Sequence, residues 1–202
     1  MRTVEFIIAV LLLELTPGPN MAYLAALSLT RGRRAALAGV VGVALGLLTH
    51  AALSALGIGL LVADSPLVYE ALRWAGVAFM LFLAWEGWQG ANDGVPEETA
   101  TSSAGQLLLR GFITNVLNPK SIMFFVAVVP GFLNVQSNAT ARLAMLGALY
   151  VGIATAVHIA IVLLAAELRP WLLEGRRSLW IRRALSLLLA GAAAWLAFST
   201  SR

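Results

Sequence analysis

The chain has 202 residues, of which 60% are hydrophobic and only 12% are charged. Soluble globular domains are about 45–50% apolar and about 25% charged, so this composition excludes a water-soluble domain and predicts a protein folded in a lipid bilayer. The net charge of +4 does not indicate nucleic-acid binding, because the basic residues fall mostly in short loops between apolar segments. The absence of cysteine excludes disulfides, thiolate metal sites and thiol redox chemistry.

Six apolar segments, each about long enough to cross a bilayer as a helix, occupy most of the chain. They are residues 4–29, 36–62, 67–89, 108–132, 141–166 and 179–199. The predicted fold class is therefore an all-α integral membrane protein with six transmembrane helices in one domain, 1–202. A polar linker, 91–107, separates a first half, 1–90, from a second half, 108–202. The first segment is interpreted as a span rather than a signal peptide, because no cleavage site follows it.

The distribution of Lys and Arg predicts the side of the membrane on which each loop lies. With the amino terminus outside, nine arginines fall in inner loops and four on the outer side. The inner set is Arg31, Arg33, Arg34, Arg110, Arg169, Arg176, Arg177, Arg182 and Arg183, and the outer set is Arg2, Arg73, Arg142 and Arg202. This bias predicts that both termini lie outside.

Several features of the first half recur in the second half at offsets of 102 to 110 residues. The matched pairs are Thr16-Pro17 with Asn118-Pro119, His50 with His158, Arg73 with Arg183, and Trp85 with Trp195. Three spans per half would make the two copies cross the membrane in opposite directions. Inverted repeats of this kind are common in secondary transporters, which bind substrate at the repeat interface near the bilayer midplane. Coincidence among Leu- and Ala-rich segments is the alternative.

The first and fourth segments contain residues that break helices. Pro17 and Pro19 flank Gly18 in the first, and Pro119 follows Asn118 in the fourth. A proline inside a helix removes a backbone donor and clashes with the carbonyl one turn earlier. Broken helices in matching positions of two halves are typical of a transporter's binding site, although a structural kink is the other interpretation.

Polar and ionisable side chains near these breaks are the candidate pathway residues. Lys120 could attract a substrate carboxylate or pair with Glu14, and Glu14 could carry a proton, unless either side chain extends to the membrane interface. His50 and His158 could bind substrate, relay protons, ligate a metal or simply pack as hydrogen-bonded residues. The full set is Glu14, Thr16, Pro17, Gly18, Pro19, Asn20, His50, Asn115, Asn118, Pro119, Lys120 and His158. We predict no catalytic residues, no cofactor and no metal site.

Four stretches resemble the LysE/RhtB family of amino-acid exporters. They are the run from Leu15 to Met21, the basic loop from Arg31 to Arg34, the Gly-rich second segment ending in His50, and Asn115-x-x-Asn118-Pro119-Lys120. The resemblance covers essentially the whole chain. It implies export of amino acids or their analogues across a bacterial inner membrane, driven by a proton gradient or the membrane potential.

The resemblance also implies a pathway role for seven residues: Pro17, Gly18, Pro19, Asn20, Asn118, Pro119 and Lys120. Glu14 and Glu86 occupy positions where the family is expected to be less acidic. Whether Glu14 is a coupling site or a specificity residue therefore stays open.

Other functions fit the sequence less well. An exporter of a metal or another inorganic ion is the main alternative, but two histidines and one deep carboxylate make a sparse metal site. A membrane enzyme would need a nucleophile beside its base, or a metal with an open position, and no such spacing is present. We therefore predict a transporter, not an enzyme, for a small zwitterionic substrate. The Gly39, Gly42 and Gly46 series indicates close helix packing, and a homodimer is possible.

Overall fold

The computed structural model describes residues 2–16, 18–56, 65–92, 102–132, 139–173 and 177–199. Within these ranges the protein is helical and contains no strand. Its α-helices are α1 (Arg2–Leu15), α2 (Pro19–Arg31), α3 (Arg33–Ala55), α4 (Pro66–Asn92), α5 (Ala104–Val116), α6 (Pro119–Met123), α7 (Ala139–Leu173) and α8 (Arg177–Ser199). After α6 the chain continues as a π-helical turn, Phe124–Val128, and a 3₁₀ turn, Val129–Phe132.

The helices are interrupted where the prolines predict. The α1 and α2 axes differ by 55° at the first break. At the second break, two residues, Leu117 and Asn118, separate α5 from α6. Pro19 and Pro119 occupy the first positions of α2 and α6, where the missing backbone donor would have no helical acceptor. Asn118 caps α6, since its side-chain oxygen accepts a hydrogen bond from the Lys120 amide at 3.1 Å. Pro17 lies outside the described residues.

Several helices have the length and apolarity of membrane spans. Among the described residues, α3, α4 and α7 each meet this requirement, and α1 with α2 would make a fourth span if the bent pair crosses as one. The fourth predicted segment is divided among α5, α6 and the two short turns, and the sixth corresponds to α8. The protein is therefore a multi-pass membrane protein.

The bounds of two segments differ from the sequence prediction. The second was predicted to reach residue 62, whereas α3 ends at Ala55 and residues 57–64 lie outside the described part of the chain. The loop predicted to begin at Arg169 is still helical, because α7 continues to Leu173. The Arg169 side chain is satisfied there by the Leu29 carbonyl, which accepts a hydrogen bond from its Nε at 3.0 Å.

Helix α7 lies at the centre of the fold and packs against α1, α2 and α3. Its buried side chains include Leu146, Tyr150, Ala154, His158 and Val162. The Ser28 hydroxyl of α2 donates a hydrogen bond to the Val162 carbonyl at 2.7 Å, which fixes the two helices against each other. The Tyr150 and His158 side chains of α7 therefore face protein rather than lipid.

The α3–α5 interface depends on glycine. A Cβ atom on Gly42 would meet the Leu108 carbonyl, and one on Gly111 would meet the Gly39 carbonyl. Small residues at such positions allow two helix backbones to approach closely. This contact holds the second break, which follows α5, against the buried face of α3.

Candidate substrate pathway

Lys120 joins the two helix breaks. Its ammonium donates a hydrogen bond to the Thr16 carbonyl at 2.7 Å, across 104 residues of sequence. That carbonyl lies beyond the end of α1 at Leu15, so it has left the regular helical pattern. The aliphatic part of Lys120 passes Gly18, where a Cβ atom would lie 3.4 Å from its Cδ. Lys120 is also the only lysine in the chain, and it is only partly buried.

Glu14 lies one turn before the first break, in closed surroundings. Glu14 is 5% exposed. Both of its carboxylate oxygens have partners. The Tyr150 hydroxyl donates a hydrogen bond to Oε1 at 3.0 Å. His158, 1% exposed, brings its Nε2 to 3.3 Å from Oε2, in an electrostatic contact rather than a well-aligned hydrogen bond.

Glu14 and Lys120 do not form a direct ion pair, although both were candidates for one. Their charges are close enough to interact, but the nearest partners are Tyr150 and His158 for the carboxylate and the Thr16 carbonyl for the ammonium. The site therefore contains an accessible cation and a secluded anion. Such an arrangement can hold groups of both signs close together.

Tyr150 is the site residue that the sequence analysis missed. Phe124 stacks on its ring with centroids 4.6 Å apart, and Phe125 meets the ring edge-on at 5.0 Å. Both phenylalanines come from the π-helical turn after α6, so the second break also positions the tyrosine. The available signal was weak: one of three tyrosines in the chain, inside an apolar segment and eight residues before His158.

A second group of polar side chains surrounds His50. The His50 Nε2 lies 3.2 Å from the Asn115 carbonyl oxygen, and the Asn115 amide donates to the Ser121 hydroxyl at 3.3 Å. Ser121 interacts in turn with Tyr150. The two histidines are thus connected through buried polar groups, although they do not contact one another.

The remaining candidate residues have simpler surroundings. Asn20, 6% exposed, follows the first break, and its side-chain oxygen has no hydrogen-bond partner among the described residues. Asn118 serves as the α6 cap described above. Glu86, which the sequence analysis found unusual, accepts two hydrogen bonds from Arg110 at 2.7 and 2.9 Å and so links α4 to α5.

The described residues offer no group of three His, Asp or Glu side chains that could hold a metal ion. Broken helices that bring a cation, a carboxylate and a non-helical backbone carbonyl together inside a multi-pass helical fold are typical of membrane transporters. Fold and site therefore define a transporter.

Comparison with known proteins identifies the family to which this transporter belongs. The model of the LysE type translocator family matches residues 11–200. The chain belongs to this family, so the predicted resemblance is confirmed and the protein is a membrane translocator rather than an enzyme.

Several relatives carry names that describe efflux. A homoserine/homoserine lactone efflux protein of Salmonella typhimurium is 33% identical over 163 residues, covering 80% of this chain and 79% of the relative. A threonine efflux protein of Escherichia coli is 28% identical over 140 residues, covering 63% of this chain and 65% of the relative. No solved structure matches the chain.

Proposed function

We propose that the protein exports amino acids or amino-acid analogues across the bacterial cytoplasmic membrane. Family membership and the efflux relatives support this substrate class. The observation that carries the proposal is the Lys120 ammonium, held by one backbone carbonyl where the two helix breaks meet. Driving energy comes from the proton gradient or the membrane potential.

The carboxylate of an amino acid is a suitable partner for Lys120. An ionised acceptor forms a stronger hydrogen bond with an ammonium than a neutral carbonyl does, so a substrate can displace the Thr16 carbonyl. Backbone groups released by the breaks and the unpartnered oxygen of Asn20 supply further contacts at the same level. Because the resting hydrogen bond to Thr16 is replaced rather than lost, binding does not strand a bare cation in the protein.

We also propose six spans arranged as two inverted repeats, with both termini outside. The packing of the helices supports this arrangement. Helices α1 and α2 of the first half pack against α7 of the second, and the corresponding α5 of the second half packs against α3 of the first. The contacts of α3 with α7 and of α4 with α8 each join corresponding helices of the two halves. The α4–α8 pair has reciprocal end contacts. Arg73 donates to the Ala197 carbonyl at 3.3 Å, and the Arg183 guanidinium lies 5.2 Å from the centre of the Trp88 ring.

The test is transport by Lys120 variants in proteoliposomes, with L-homoserine and L-threonine as probes. We expect Lys120→Ala to lose about 10- to 100-fold in apparent affinity, as expected for a charge-assisted hydrogen bond of about 1.5–3 kcal/mol. Lys120→Arg should recover little, because a planar guanidinium does not replace a compact ammonium.

Arg34→Ala is the matched control, since it removes one positive charge from an exposed position after α2 and should leave affinity unchanged. Each variant is first checked for a monodisperse, membrane-inserted protein. Export by Lys120→Ala at the level of the wild type would contradict the role proposed for Lys120.

A further inference from the structure

The carboxylate-binding step leaves Glu14 without a function. Glu14 is 5% exposed and both of its carboxylate oxygens have partners. Lys120 is only partly buried, and its single hydrogen-bond partner among the described residues is a backbone carbonyl. A buried ionisable side chain at membrane depth is costly and is usually retained for function. Glu14 is therefore a second, separate element of the site.

We propose that Glu14, Tyr150 and His158 form a proton-binding site at which a proton competes with the ammonium group of the substrate. This inference rests on the proposed function and identifies the side chains that carry the proton. In it, one cluster connects the movement of the proton to that of the substrate.

The groups around Glu14 are suited to holding a proton. Helix α1 packs against α7 and the 3₁₀ turn Val129–Phe132, and the turn has no titratable side chain. From α7 the facing groups are Tyr150 and His158, and within the described part of the chain Lys120 of α6 contributes the nearby fixed charge. A proton entering the cluster can reside on the carboxylate or on the imidazole, since the two lie 3.3 Å apart.

Competition follows from the charges. When the substrate carboxylate neutralises Lys120, the Glu14 carboxylate loses its nearby counter-charge, and the substrate ammonium replaces it. A proton on Glu14 or His158 cancels the negative charge that the ammonium needs. Charges interact more strongly in such a water-poor environment than in solution, so the two occupants disfavour each other.

The cycle balances in charge. A proton enters the cluster from the outer side as the zwitterion is released there, and it leaves to the cytoplasm as the next zwitterion binds. One positive charge therefore moves inward for each neutral substrate that moves outward. Both the pH gradient and an inside-negative membrane potential drive export under this stoichiometry.

The decisive experiment separates binding from coupling in proteoliposomes. L-homoserine counterflow, measured without a gradient, reports substrate movement alone, whereas accumulation driven by an imposed pH gradient reports coupling. At zero potential, a gradient of about one pH unit sustains about tenfold accumulation for one-for-one exchange. We expect Glu14→Gln to lose accumulation and to retain counterflow at high L-homoserine concentration, with a lowered apparent affinity because the amide lacks the negative charge that attracts the substrate ammonium.

Glu167→Gln is the matched control, because Glu167 is exposed on α7 and the substitution is chemically identical. It should behave as the wild type in both assays. Tyr150→Phe is a second test, since it removes one donor from Glu14 while keeping the ring. We expect it to retain counterflow and to shift the pH dependence of transport toward alkaline pH, because the ionised carboxylate is less stabilised.

Accumulation by Glu14→Gln equal to that of the wild type would overturn the inference. If the wild type shows no counterflow of L-homoserine or L-threonine, the proposed function fails instead. The proton site is then decided by infrared titration of the reconstituted protein without substrate. A carboxylic-acid band that appears on acidification and is absent in Glu14→Gln supports the site, and its persistence in that variant excludes it.

Discussion

His50 and His158 occupy buried positions on neighbouring helices, but their surroundings differ. His50 contacts the Asn115 carbonyl at 3.2 Å and lies beside the Phe125 ring, with centroids 6.3 Å apart. His158 contacts a carboxylate. A neutral imidazole N–H suffices for a carbonyl, whereas an imidazole beside a carboxylate can share a proton with it. His50 is therefore suited to a structural role and His158 to a chemical one.

Substitution of each histidine by glutamine should reveal this difference. We expect His50→Gln to lower the free energy of unfolding by about 1 kcal/mol, the usual contribution of one hydrogen bond, and to leave the pH dependence of transport unchanged. His158→Gln should change that pH dependence because the proton site loses one of its two bases. Thermal unfolding in detergent and pH profiles of L-homoserine transport measure the two effects. An altered pH profile in His50→Gln would contradict this assignment.

At the level of single residues, the sequence predicts which side chains lie near the breaks but not which of them touch. Lys120 could be placed beside the first break because both segments contain prolines at matching positions. Its choice of the Thr16 carbonyl over Glu14 depends on side-chain direction, which chain position does not encode. Tyr150 was missed for the same reason, since its role depends on how α7 is rotated toward α1.

At the level of helices, strong local signals were the most reliable. Proline predicted both breaks, since it lacks the backbone donor that a helix interior requires. Pro170 shows the limit of this signal, because it lies inside α7 without ending the helix. Gly32, between α2 and α3, shows another local effect: its φ of 81° suits glycine, and it reduces the predicted basic loop to one non-helical residue. The end of α7 was harder to predict, because the predicted loop residue Arg169 makes a tertiary contact with the Leu29 carbonyl that chain position does not reveal.

The α3–α5 contact gives a prediction at this scale. We expect Gly42→Ala to lower stability by about 1–3 kcal/mol, because the added methyl group would collide with the Leu108 carbonyl and the helices would have to separate. Thermal unfolding in detergent measures the loss.

The matched control is Gly152→Ala in α7, where an added Cβ would meet no atom within 4 Å. This change should leave stability unchanged or raise it slightly, because alanine favours the helix more than glycine does. Equal stability of the two variants would show that α3 and α5 are not held at backbone contact.

At the level of the whole molecule, loop charge and helix packing each support one part of the proposed arrangement. The loop charges predict the side of the membrane on which each loop lies, and this prediction uses no helix contacts. The pairing of α4 with α8 is a helix contact, and it is the same whichever way the chain is oriented in the membrane. The contacts between Arg73 and Ala197 and between Arg183 and Trp88 run antiparallel, as two inverted third helices require. Sequence offsets alone could suggest this pairing, but only the packed chain brings the matched arginines to opposite ends of one helix pair.

The proposed orientation can be tested with single cysteines, because the chain has none of its own. Ser65→Cys precedes α4 and Ala104→Cys begins α5, so one predicted span separates the two labels. We expect a membrane-impermeant maleimide to label position 65 in intact cells and position 104 only after permeabilisation, since the arginine-rich loops on the latter side favour the cytoplasm. The reverse pattern would contradict the proposed orientation while leaving α4 as a span. Labelling of both positions from the same side would show that α4 does not cross the membrane. That result would also contradict the proposed inverted repeat.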